Sequence, residues 1–138
     1  MIERIVKDSI VFAIIIRSEY KSEGIEFFTP TEFSQQLGYM NRKKGYVINA
    51  HKHRDSEVTI SKLFETLVVK SGSTLVSFFD ENDLYFQDTT INKGDVILFT
   101  GYGHQFEMLE DTEIIEVKQG PYLDDKVYIS TPIKKPIL

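Results

Sequence analysis

Cysteine and tryptophan are both missing from the 138 residues. Without cysteine there is no disulfide framework and no thiolate centre, so a metal would have to be held by nitrogen and oxygen donors. The same absence fits a reducing compartment. Basic residues are in the minority, 16 Lys and Arg against 21 Asp and Glu, for a net charge of −5. Proteins that neutralise a phosphate backbone carry basic patches. No Lys/Arg cluster stands out here, so nucleic acid is not an expected partner. Long apolar runs are lacking too. The longest, Ile10 to Ile16, has seven residues, far short of the roughly 20 that span a bilayer. No signal-peptide cleavage pattern accompanies it. The expectation is a cytoplasmic protein with no membrane partner.

What is present is ordinary for a globular chain, 41% hydrophobic and 27% charged. The length predicts a single domain, 1–138. Within it we expect an N-terminal strand over 5–17, a core over about 36–118, and an extended tail over 121–138 that includes Pro132 and Pro136. Ile10 to Ile16 is apolar nearly throughout, which predicts a strand covered on both faces by the domain or by a partner. Phe27-Phe28 reads as a loop or edge strand, Thr31 to Ser34 as one helical turn, and Gln35 to Met40 as a strand. From Gly45 onward, strands and turn residues alternate at the short spacing of an all-β sandwich or barrel. The expected strands are 45–53, a short 58–60, 65–69, 73–79, 84–90, 95–99, 104–109 and 112–118. Phe78, Phe86, Phe106 and Met108 are expected to fill the interior. On the last strand, Ile115 and Val117 are expected to face inward, with Glu116 and Lys118 on a solvated face; with the parity reversed, those two would be a candidate acid and base near a bound metal.

The three histidines fall in one constellation. On a strand side chains alternate between faces, so His51 and His53 would point the same way. Two neutral imidazoles side by side can seat a divalent ion, and a carboxylate from the next strand would offset part of its charge. Glu65 is the choice for that carboxylate, because it leads into Thr66 to Val69 and the Ser71-Gly72 turn. Glu57 stands closer to His53 in sequence but leads into no such turn. His104 follows the strand Val96 to Phe99 and the turn Thr100 to Gly103. The plainer alternative is a surface histidine pair, or a barrel in which the histidines only hydrogen-bond each other.

Gly45, five residues, then His51-Lys52-His53, and Glu65 with six residues between it and Gly72, resemble the first motif of the cupins. Gly94, a strand, a glycine-containing turn and His104 resemble the second. The resemblance covers roughly residues 36–117. It departs from the pattern in an eleven-residue gap between His53 and Glu65, longer than usual, and in a second motif that lacks its usual proline. What it implies is a double-stranded β-helix, or jelly-roll barrel, with His51, His53, Glu65 and His104 as ligands to one divalent ion (Mn, Fe, Ni, Co or Zn). Small single-domain cupins of this kind are associated with surface-polysaccharide and nucleotide-sugar metabolism. Gln36, Asn49, Tyr102 and Phe106 are weaker candidates for contact with a small-molecule substrate.

Three histidines and a carboxylate leave open positions on an octahedral ion, which suits isomerisation or epimerisation of a sugar-like carbonyl substrate, or dioxygen chemistry if the ion is iron. A non-catalytic module that binds or senses a metal or small ligand is the alternative from another class. A metal-free sugar ketoisomerase, with a histidine as acid or base, is the third. A homodimer is expected from the doubly apolar strand and from the edge strands an open jelly roll has to cover.

Overall fold

Asp8 and Ser9 both take positive φ, 51° and 64°, the geometry of a tight turn whose twist matches its flanking strands. They split the expected N-terminal strand, 5–17, into a hairpin of β1 (Ile2–Lys7) and β2 (Ile10–Ile16). The computed structural model describes residues 1–130 and 133, so Pro132 and Pro136 lie outside the described residues. Beyond the hairpin come β3 (Gly24–Phe27), β4 (Gly38–Asn41), β5 (Glu65–Ser71), β6 (Ser73–Phe79), β7 (Tyr85–Asn92), β8 (Val96–Phe99), β9 (His104–Met108) and β10 (Glu113–Lys118). Among the described residues there is no helix, and none is therefore long and apolar enough to cross a membrane. The helical turn expected at Thr31 to Ser34 is a simple bend in which the Phe33 N–H donates to the Pro30 carbonyl.

All pairing is antiparallel. The strands form one sheet of order β1-β2-β8-β5-β10, a second of order β7-β6-β9, and a separate β3-β4 pair. The first two face each other as a β-sandwich, with Ala13, Ile15, Leu67, Val69, Ile97 and Phe99 of one sheet against Val76, Phe78 and Ile91 of the other. Of the expected interior residues, Phe78 is fully buried and Phe86 and Phe106 pack against it in part. Met108 does not: it sits near the end of an edge strand and is half exposed.

β2 is buried on its second face as well. Directly paired residues share a face, so Arg4, Ile14, Leu98 and Thr66 form one row across the back of the larger sheet. At one end of that row the Arg4 guanidinium donates to the Phe28 carbonyl, and at the other the Thr66 hydroxyl donates to the Gln35 side chain. The segment from Gly24 to Asn41 thus covers the outer face, with Phe28 and Phe64 buried beside it. The chain itself supplies both covers of β2, so that strand no longer argues for a partner.

One end of the sandwich is clasped by Arg17. Its guanidinium donates to Glu3 at 2.8 and 3.0 Å, to Asp95 at 3.0 Å, to the Thr90 carbonyl at 2.7 Å and to the Thr89 hydroxyl at 3.0 Å. Asp95, almost wholly buried, also accepts the Ser18 and Asn92 N–H groups. A buried ion pair costs heavily in desolvation unless its remaining polar atoms are bonded. Here they are, and the bonds join both sheets.

Two substitutions test these assignments in urea titrations. Phe78→Ala removes a fully buried ring and is expected to cost about 3–5 kcal/mol. Gly72 turns β5 into β6 at φ +80°, where an added Cβ would run into the Asp111 carbonyl and Thr112. Gly72→Ala is therefore expected to cost about 1–3 kcal/mol, and a midpoint unchanged from wild type would contradict the hairpin geometry.

Candidate functional site

The inner row Ala13, Phe99, Glu65, Lys118 runs across the larger sheet, and its Glu65 end faces β9 of the opposite sheet. There the His104 Nε2 lies 2.7 Å from Glu65 Oε1. His104 heads β9 because the Thr100 to Gly103 turn reverses the chain after β8. The same turn stacks its ring on Phe99, with centroids 4.4 Å apart and planes 29° apart. Phe106 meets the His104 ring edge-on at 5.1 Å. Both members of the pair are about one-fifth to one-quarter exposed, so the contact is screened but reachable.

The other ring nitrogen defines the chemistry. His104 Nδ1 faces the Tyr102 carbonyl at 3.2 Å. A carbonyl only accepts, so Nδ1 carries a hydrogen. Nε2 and Glu65 Oε1 then need a proton or another cation between them. Burial pushes the Glu65 carboxyl up, but hydrogen bonds from His104 and Glu116 outweigh it and hold it down at about 2. Glu116 moves the other way. Its hydrogen bond to Glu65 raises it above the usual carboxylate range, with burial adding to the shift.

Glu116 stands here because the register of β10 reverses the expected faces. A bulge between Glu113 and Ile114 puts Ile114 against the core, and Glu116 and Lys118 then pair with Leu67 and Glu65 on the inner face. Ile115 and Val117 are on the outside, 52% and 56% exposed. Apolar alternation alone points to the opposite face, and only the partner strand decides the matter.

The remaining candidates separate from this pair. Residues 45–53, expected as a strand, form none, and every residue from Met40 to Leu63 is exposed. The expected 58–60 strand is likewise absent. His51 and His53 lie on this arm, their rings 5.4 Å apart, with His51 Nδ1 on the Asn49 carbonyl at 2.7 Å. Glu57 is on the same arm. Among the described residues no three His, Cys, Asp or Glu side chains come together as a metal-holding group. Of the expected ligands, the structure brings together Glu65 and His104.

Asn49 is exposed on the arm. Gln36 serves its own loop, donating to the Pro30 and Phe33 carbonyls and accepting from Thr29. It lines a groove of about 390 Å³ with Gln35, Thr66, Val117 and Gln119. That groove lies behind β5, since Thr66 points opposite to Glu65, and its Gln35 and Gln119 amides are already bonded to Phe64 and Ser34. Tyr102 and Phe106 do line the His104 end. The Tyr102 ring packs 4.6 Å from Phe12 and carries the Lys62 ammonium 3.3 Å from its centroid. Sequence reasoning missed Lys62, which nothing in its local pattern marks.

Compared with known proteins, the chain matches no family model, no curated protein and no solved structure.

The paired carboxyls make stability depend on pH with opposite signs. Glu65, lowered on folding, contributes stability that is present above its unfolded pKa of about 4.3 and is lost as pH falls toward about 2. Glu116, raised on folding, contributes stability that is present below its unfolded pKa and is lost as pH rises through its folded value. Thermal melts of Glu65→Gln are expected to lose part of the acid limb between about pH 4.3 and 2, and Glu116→Gln is expected to be near neutral at pH 7. Superimposable curves for wild type and Glu65→Gln would mean that the carboxylate is not held as described.

Proposed function

We propose that this chain is a cupin-type barrel that binds a small carbonyl-bearing, sugar-like molecule and transfers protons on it, with His104 and Glu65 as the acid–base pair. The observation that carries this reading is the 2.7 Å contact between His104 and Glu65 across the two sheets, beside a second carboxyl that keeps its proton to higher pH. The cupin part of the reading is supported by the all-β sandwich and by the two motif positions that face each other in it.

The 2.7 Å contact has room for one hydrogen between Nε2 and Oε1, and the Glu116 carboxyl stands beside Glu65. A carbonyl substrate here meets a proton donor and a proton acceptor within one small space, the arrangement that general acid–base catalysis needs. Isomerisation or epimerisation follows from two transfers. A base takes the proton from the carbon beside the carbonyl while an acid gives one to the carbonyl oxygen, and the enediol so formed reverses the transfers at the neighbouring carbon or on the opposite face. No net proton is gained or lost. Phe99, Phe106 and Tyr102 supply the apolar walls.

A second reading, a metal centre, has its own support. His104 and His51 both set Nδ1 on the carbonyl two residues back, which leaves Nε2 free in His51 and turned to Glu65 in His104. Metal-bound histidines are usually oriented in this way. His104 and Glu65 would hold the ion, with His51 and His53 completing the set if the arm delivers them. A bound divalent ion supplies positive charge that polarises a carbonyl oxygen.

Incubation with a panel of hydroxy-aldehydes, hydroxy-ketones and nucleotide sugars in D₂O tests the first reading. Proton NMR is expected to show the hydrogen beside the carbonyl exchanging for deuterium on one member. His104→Asn and Glu65→Gln are each expected to slow that exchange about 10²–10⁴-fold. Ligand binding with no exchange on any member would leave a non-catalytic binding module.

Metal analysis of the purified protein, with melts in chelator and in excess metal, tests the second. A hundredfold excess over the dissociation constant is expected to stabilise the fold by about 2.7 kcal/mol. A melting temperature indifferent to both additions would discard the metal centre.

A further inference from the structure

The arm from Arg42 to Glu57 is unpartnered. Gly45 has no neighbouring atom within 4 Å of where a side chain would begin. Among the described residues, the hydrogen bonds of 42–57 stay within the arm. Tyr46, Val47 and Ile48 are 58%, 75% and 52% exposed. A segment with unpaired N–H and C=O groups and bare apolar side chains can be added as a further strand to a sheet edge.

The complementary edge is present in the same fold. Among the described residues β9 ends its sheet, paired with β6 on one side and with no strand on the other, while Ile129 of the tail packs at Gly103 just before it. Its free side leads directly to His104. The arm's two attachments are fixed: Asn41 belongs to β4 and donates to the Ser22 carbonyl, while residues 58–60 lie against 31–34 and Lys62 sits on Tyr102. Between them the arm stands clear of its own body, so only another molecule offers it an edge without re-bending the chain. An exchange of this kind is mutual and closes as a two-fold dimer.

We propose that two copies exchange arms, residues 45–53 of each adding antiparallel to the free edge of β9 in the other. Odd-numbered residues of the arm would then face inward, placing His51 and His53 of one copy beside Glu65 and His104 of the second. Completion of the site between copies rests on the metal-centred reading above. Exchange of the arms does not.

The lack of native cysteine makes a clean test available. An antiparallel register that sets His51 level with His104 puts Ile48 opposite Glu107, both exposed as single chains. The double variant Ile48→Cys/Glu107→Cys, oxidised under native conditions, is expected to run as a covalent dimer on a non-reducing gel, and neither single variant is expected to do so. Light scattering of the wild type is expected to give twice the mass of one chain. A link confined within single chains, thiols that remain free, or a single-chain mass would each overturn the exchange.

The shared site is tested by mixing. His51→Ala/His53→Ala and His104→Ala are combined in urea, refolded together and dialysed against zinc. Exchange predicts bound zinc in the mixture that neither variant holds alone, because mixed dimers contain one intact site. A cross-linked dimer whose mixture holds no zinc would keep the exchange and overturn the shared metal site.

Discussion

A strand apolar on both faces has to be covered twice, and β2 imposes that demand on the whole chain. Its inner face recruits the β7-β6-β9 sheet and so creates the core. Its outer face recruits Gly24 to Asn41, which lies behind the larger sheet with Phe28 and Phe64 against the row through Ile14 and Leu98. That second cover has a topological effect. The chain leaves β4 behind the larger sheet, and the stretch that follows carries His51 and His53 without joining the smaller sheet, so β9 is left with a free side. The exposed arm and the open edge both follow from how β2 is buried.

The polar pair sits where that open edge meets the interior. A histidine between a carbonyl and a carboxylate is asymmetric by construction, since one nitrogen is committed to a fixed acceptor and the other faces a group that exchanges protons or binds cations. Phe99 and Phe106 fix the ring plane, so the asymmetry is held in space as well. Glu116 and Lys118 add one carboxyl and one ammonium at the mouth without entering the core. The site is thus a small set of ionisable groups on a rigid apolar floor.

Much of the fold from Glu65 onward was legible because its information is local. Ser73 to Phe79 is found as read, turns fill the gaps left between the expected strands at Asp80 to Asp83 and Asn92 to Gly94, and Glu65 begins its strand. The misreadings share another cause. Asp8-Ser9 turns the chain without a glycine, so a hairpin passed for one strand. Val47, Asn49, His51 and His53 alternate as a strand should, but a strand also needs a neighbour, and the chain provides none. Ile115 and Val117 were assigned inward by hydrophobicity, whereas the pairing of Glu116 with Leu67 and a one-residue bulge settle the face. At the site, the residue types were readable; the approach of Glu116 stood only as the reversed-parity alternative and that of Lys62 was not legible, because each depends on contacts distant in sequence.

The two ends of the sandwich are held by different means. At the Arg17 end, five hydrogen bonds from one guanidinium tie β1, β7 and the start of β8 together. At the other end, the sheets meet through the His104–Glu65 contact, the Lys7–Asp80 ion pair at 2.6 Å and stacked rings. The first fastening is largely buried and the second part-exposed, so the two ends do not resist opening equally. Amide hydrogens near Val96 should therefore exchange with solvent later than those near Phe99 and His104.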